Sequence, residues 1–201
     1  MEKLEFLAPT WEEIYELAIK LTEKIRASKF EPDVIVGIAR GGWMVARIIS
    51  DFLDNDNVAN VRVQFYSNIG ETMQKPIISQ RVSVDVKAKR VLLCDDVSDT
   101  GHSFKAAYEH LQEEGASEIK TAALHLKPHS IFKPDFWVGE TSKWIIYPWE
   151  RRETVNKLIR AFVEEEKNIT EEKLLEKLQI TGLDEKLLKL FIKWSREDNM
   201  F

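Results

Sequence analysis

The alternation of apolar and polar positions opens the chain with a helix. Over residues 11–28, Ile14, Leu17, Ala18, Leu21 and Ile25 recur at three- and four-residue spacing, behind Thr10 as N-cap with Glu13 three residues on. Two runs follow that leave no polar face, residues 34–38 and 91–94, and they predict strands buried on both sides, as in a parallel sheet. The first ends in Ala39-Arg40-Gly41-Gly42 before a helical segment over 43–53. The second ends in Asp95-Asp96 and passes through Asp99-Thr100-Gly101-His102-Ser103 into a helix over 104–114, stopped by Gly115. Residues 58–66 and 118–126 read as further strands, and 76–86 as extended structure returning antiparallel. Between them, 67–75 is polar, carries Gly70, has no period and predicts a mobile loop. After about residue 150 the period is helical throughout. Three amphipathic helices are expected over 153–166, 171–179 and 184–196, with Thr170 and Asp184 as N-caps and Gly182 as a hinge. Their apolar set includes Leu158, Ile159, Phe162, Leu174, Leu178, Leu188, Phe191 and Trp194. The expected fold is α/β, a mostly parallel central sheet flanked by helices over 1–150, with a three-helix bundle or lid over 151–201.

The stretch from Val91 to Ser103 concentrates the chemistry. In parallel sheets ligands collect at the carboxyl ends of the strands. Thr100 to Ser103 offers backbone amides, two hydroxyls and a glycine-permitted tight turn at a helix N-terminus, which suits a phosphate. Asp95 and Asp96 are too acidic to face that phosphate; they suit sugar hydroxyls or a hydrated divalent cation. A plain strand-turn-helix whose aspartates cap the helix explains Asp99 but leaves the acidic pair without a reason. Arg40-Gly41-Gly42, read alone, is an ordinary turn. If its strand neighbours the acidic one, the glycines admit close approach of a ligand to the backbone and Arg40 supplies a cation.

Composition narrows the classes. The chain has 201 residues, 44% hydrophobic and 31% charged, enough for one full core and a small appendage. A formal net charge of -5 argues against a general nucleic-acid binder. The single cysteine, Cys94, sits on an apolar run and reads as core rather than nucleophile. With no signal segment and no long apolar span in view, a reducing cytoplasm without a membrane partner is the expected location. His102, His110, His125 and His129 have no mutual spacing that suggests a metal site or triad. A P-loop nucleotidase would need Gly-Lys-Ser/Thr after a glycine-rich loop, and a phosphorelay receiver would carry its acidic pair on the first strand. Neither pattern is present.

Residues Val91 to Ser103 resemble the 5-phosphoribosyl 1-pyrophosphate (PRPP) motif of the type I phosphoribosyltransferases. The resemblance implies that Asp95 and Asp96 hold the ribose hydroxyls, and that Asp99, Thr100, Gly101 and Ser103, with His102 in the same loop, cradle the 5-phosphate. It gives pyrophosphate to Arg40, Gly41 and Gly42, the purine proton near N7 to Asp99, and a closing flap to 67–75. It implies Mg2+ as cofactor, held by Asp95 and Asp96 directly or through water or PRPP hydroxyls. Lys127 matches the lysine that donates to the exocyclic oxygen in 6-oxopurine enzymes. Residues 133–139 and 143–150 resemble archaeal and short bacterial members of that subgroup, which would make Trp144 the stacking partner of the base. Ile145 would offer backbone groups to the base edge, and Glu150 would stand near base or metal. Trp137, Tyr147 and Trp149 read as core or interface instead. The last third resembles crenarchaeal adenine phosphoribosyltransferases. The expected reaction joins a purine to PRPP, giving a nucleoside monophosphate and pyrophosphate for purine salvage, in a homodimer. Adenine is the expected base on the strength of the last third, although Lys127 favours a 6-oxo group. The alternatives are a hypoxanthine, guanine or xanthine enzyme, or a PRPP-sensing regulator without turnover.

Overall fold

Strands without a polar face need cover on both sides, and this requirement shapes the central part of the chain. The structure, a computed structural model, describes residues 5–66 and 75–201. In chain order its elements are β1 (Phe6–Leu7), α1 (Trp11–Ala27), β2 (Val34–Ala39), α2 (Gly41–Phe52), β3 (Val58–Tyr66) and β4 (Lys75–Gln80). There follow β5 (Arg90–Ser98), α3 (His102–Glu113), β6 (Glu118–Leu126), β7 (Phe136–Glu140), β8 (Trp144–Ile145), α4 (Arg151–Glu165), α5 (Glu171–Leu178) and α6 (Glu185–Glu197). By contacts the chain forms two units, residues 14–142 and residues 1–13 with 143–201. Residue 150 lies inside the second of these.

The larger unit is a six-stranded sheet in the order β4-β3-β2-β5-β6-β7, with every pair parallel except β3–β4. Strand alternation sends Val34, Val36 and Ile38 of β2 to one face, where they pack with Val91, Leu93 and with Phe104, Ala107 and Leu111 of α3. On the other face Gly37 lies so close to α2 that a Cβ there would stand 2.8 Å from the Trp43 Cα. α1 lies on the α2 side, its Tyr15 ring edge-on to Phe52 with centroids 5.0 Å apart. The two central strands are pinned at their entrance: the Asp33 carboxylate accepts from the Arg90 amide at 2.8 Å and from two guanidinium nitrogens at 3.2 and 2.9 Å. That guanidinium holds the Asp33 carboxyl down at about 2.

Several boundaries differ from the patterning, and the stretch expected to run extended over 76–86 forms strand only as far as Gln80. β5 pairs with β6 as far as Ser98 opposite Leu126, so Asp95 and Asp96 lie within the strand rather than beyond it. α2 and α3 each begin two residues early, which puts Gly41 and Gly42 in the first helical turn. Periodicity registers a helix only where it turns a face to the core, and first turns here face a ligand crevice instead. Of the loop expected over 67–75, Lys75 lies in β4 and residues 67–74 lie outside the described residues.

In the smaller unit β1 and β8 pair in parallel, Phe6 with Trp144 and Leu7 with Ile145. α4, α5 and α6 close around Val155, Ile159, Leu174, Leu178, Leu188 and Ile192. The Thr170 hydroxyl accepts from the Lys173 amide at 3.3 Å, and Asp184 Oδ1 accepts from the Lys186 and Leu187 amides at 3.0 and 3.2 Å, so both caps form. Gly182 takes the left-handed conformation (φ 71°) between α5 and α6. No described helix is long and apolar enough to cross a membrane.

Candidate active site

β2 leads leftward to β3 and β5 leads rightward to β6, so the chain diverges between two adjacent parallel strands and opens a crevice at their carboxyl ends. A cavity of about 570 Å3 lies there, lined by Phe65 and by residues 95–104. Asp95 and Asp96 are 8% exposed each. Asp95 Oδ1 accepts from the Asp96 amide at 3.0 Å and Asp96 Oδ1 from the Val97 amide at 2.9 Å. Burial first, then the neighbouring charge of Asp96, pushes the Asp95 carboxyl well above its usual range. The same burial, with the charge of Asp95, pushes the Cys94 thiol up, which keeps it inert.

The glycines of the first loop meet this pair directly. A Cβ on Gly41 would collide with the Asp96 carboxylate, and one on Gly42 with the Cys94 carbonyl, while standing 2.8 Å from Asp95 Oδ1. The Gly42 amide donates to Asp95. Arg40, exposed, occupies the N-cap position of α2, and the Ala39–Arg40 peptide bond is cis. Neither α2 nor α3 has a side-chain N-cap bond, so two helix N-termini flank the acidic pair; the Gly42 amide of the first serves Asp95, and the first turn of α3 suits an anion. At α3 the turn is made by Gly101 with φ 86°, where a Cβ would also strike the Phe132 backbone at 2.5 Å.

That contact introduces the third wall. The loop after β6 runs alongside the end of β5: the Lys127 amide donates to the Ser98 carbonyl at 3.0 Å and the Ile131 amide to the Thr100 carbonyl at 3.1 Å. The Ser98 and Ser130 hydroxyls lie 2.9 Å apart and both reach the Phe132 carbonyl, at 2.7 and 3.0 Å. Phe132 stacks on Phe104 with centroids 5.3 Å apart. Lys127, 6% exposed, begins this loop; burial lowers its pKa and the Asp99 charge opposes that. Asp99 and Thr100 are exposed, His102 and Ser103 half-buried. His129 Nε2 stands 3.0 Å from Asp99 Oδ1. Sequence reasoning missed this contact and the serine brace; the one available signal was the nearness of His129 to Lys127 in the chain.

The structure therefore brings together Gly41, Gly42, Asp95, Asp96, Asp99, Gly101 and Lys127. Trp144, Ile145 and Glu150 belong to the other unit. There the Trp144 amide donates to the Glu5 carbonyl and the Ile146 amide to the Leu7 carbonyl, both at 2.8 Å. Strand alternation turns the Ile145 amide and carbonyl to the opposite edge. The Trp144 side chain is 44% exposed. Glu150 heads α4, where a carboxylate complements the helix dipole. Tyr147 is buried and stacks on Trp149 with centroids 4.8 Å apart.

A model of the phosphoribosyl transferase domain matches residues 10–154. The chain belongs to the phosphoribosyltransferase family. It is similar to the hypoxanthine-guanine phosphoribosyltransferase of Schizosaccharomyces pombe, 25% identical over 72% of this chain and 88% of that one. Xanthine phosphoribosyltransferase 1 of Saccharomyces cerevisiae is 26% identical over 70% of this chain and 88% of its own. A purine phosphoribosyltransferase from Pyrococcus horikoshii Ot3 superposes with a TM-score of 0.66, is 39% identical, and covers 73% of this chain and 94% of its own. The protein is thus an enzyme of the type I phosphoribosyltransferase fold, with purine enzymes among its relatives.

Proposed function

We propose that the enzyme transfers the phosphoribosyl group of PRPP to a 6-oxopurine, namely hypoxanthine, guanine or xanthine. The observation that carries this reading is Lys127, buried at the end of β6 and near enough to Asp99 for its charge to be felt. An ammonium only donates; a 6-oxo group accepts its hydrogen bond, whereas the amino group of adenine does not. The relatives reported above carry hypoxanthine, guanine and xanthine in their names. The expectation of adenine rested on the helical last third alone and finds no support in those names.

In this reading the α3 amides and the Thr100 and Ser103 hydroxyls hold the 5-phosphate, and Asp95 and Asp96 accept from the ribose hydroxyls. Arg40 and the backbone around Gly41 meet the pyrophosphate. As purine N9 bonds to the anomeric carbon, the electron pair of the carbon–oxygen bond leaves with pyrophosphate, and the purine proton passes to the Asp99 carboxylate. The protein's contribution is alignment and preset charge rather than a covalent nucleophile. The donor set suits Mg2+, which takes one or two carboxylates and substrate oxygens while keeping waters, and Asp95 is a buried carboxylate in need of a counter-charge. Asp95 and Asp96 would hold it directly or through water, and it would supply positive charge to offset that of pyrophosphate. The resemblance alone assigns the purine face to Trp144 and its edge to Ile145, with Glu150 nearby.

Pyrophosphate release from PRPP, measured with each purine and then with pairs in competition, tests the reading. One of hypoxanthine, guanine and xanthine should exceed adenine in kcat/KM by at least about tenfold. A preference for adenine would overturn the choice of base, and no turnover with any purine would overturn the reaction.

A further inference from the structure

Asp99 and His129 form an exposed pair whose existence stability does not explain. Their side chains are 54% and 61% exposed, and a contact of that kind adds little to folding. Yet the backbones that carry them are fixed on both sides of the contact. Lys127 bonds to Ser98 before it and Ile131 to Thr100 after it, and the Ser98–Ser130–Phe132 cluster lies beneath. His129 is presented to Asp99 by a frame that leaves neither chain free to move away. The bond uses one carboxylate oxygen, Oδ1; Oδ2 takes no hydrogen bond from the described residues.

We infer that His129 is a positioning residue: its Nε2–H donates to Asp99 Oδ1 and fixes the carboxylate plane, so that Oδ2 meets the purine proton. This rests on the role given to Asp99 above and deepens it. A carboxylate at the end of a strand with an exposed side chain has free rotation about its first side-chain bonds, and a base acts efficiently only when held within reach of the proton it takes. The arrangement repeats the general logic of an acid–base group oriented by a third residue. It also gives one loop two tasks. Lys127 meets the exocyclic oxygen, and His129, two residues on, sets the group that meets the ring proton.

The test is steady-state kinetics of the full chain with PRPP and its preferred purine, read in both wild-type and Asp99→Asn backgrounds at enzyme concentrations that resolve a thousandfold loss. His129→Ala should lower kcat about tenfold and leave the KM for PRPP within about twofold. His129→Gln, whose amide nitrogen reaches the place of Nε2, should recover most of that loss; His129→Asn, one carbon shorter, should not. In Asp99→Asn, which should itself be slow, His129→Ala should change kcat by less than about twofold. An unchanged kcat in His129→Ala, or the same loss in both backgrounds, would overturn the positioning role while leaving the reaction assignment intact. Full activity in Asp99→Asn would overturn the role of Asp99 and the inference with it.

Discussion

A buried carboxylate with a raised pKa is held against its own solvation, and Asp95 is such a group. Its neighbour Asp96 adds a like charge, and amide hydrogen bonds from Asp96 and Gly42 compensate in part. Asp95→Asn keeps an acceptor for those amides and removes the charge. The variant should melt higher, by roughly 2–4 °C for each kcal/mol relieved, while kcat/KM for PRPP falls at least about a hundredfold. Differential scanning calorimetry beside PRPP kinetics checks both arms. His125 acts in the opposite sense. Burial, and then the Lys127 charge, lower its pKa to about 4. Below pH of about 6.5 the unfolded chain takes up a proton that the folded one refuses until about pH 4, so stability falls as pH drops through that window and is complete above it. Relative to His125→Gln, the wild type should lose at most about 3 kcal/mol between those limits. Urea melts of both proteins across that range measure it.

At the scale of elements, the close meeting of α2 with the end of β5 is the decisive packing. Gly42→Ala would drive a methyl against the Cys94 carbonyl and Asp95, both backbone-anchored. The helix must shift outward, and with it the loop at Arg40. We expect a stability loss of about 1–3 kcal/mol in chemical denaturation and a KM for PRPP raised at least about tenfold. Much of this layer was legible in the sequence. β3 and β6 take the bounds their patterning gives, and the caps at Thr170 and Asp184 form as residue type predicts. The apolar run of β5 breaks at Asp95, so patterning ends the strand there, although the ladder to β6 carries on through Ser98. β1, β7 and β8 left little trace, being short or mixed in polarity, and their pairing is decided by distant partners. The candidate site shows the same division. Asp95 to Ser103 is contiguous and could be read as a motif, whereas the bonds of Ser98 to Phe132 and of Asp99 to His129 join residues some thirty positions apart and belong to the fold alone.

For the whole molecule, connectivity makes the crevice and the helical unit stands on its own core. Ile159, fully buried among α4, α5 and α6, fills that core. Ile159→Ala should cost about 2–5 kcal/mol. We expect calorimetry to show the loss in the unfolding of residues 143–201, with PRPP affinity by isothermal titration unchanged within about twofold. A matching loss of PRPP affinity would instead tie the helical unit to donor binding.

The loop after β6 is fastened to the end of β5 by main-chain groups, Lys127 to Ser98 and Ile131 to Thr100. Fastening of this kind asks only for a main-chain N–H at positions 127 and 131. Acceptor preference can therefore drift by point substitution while the donor half keeps its shape.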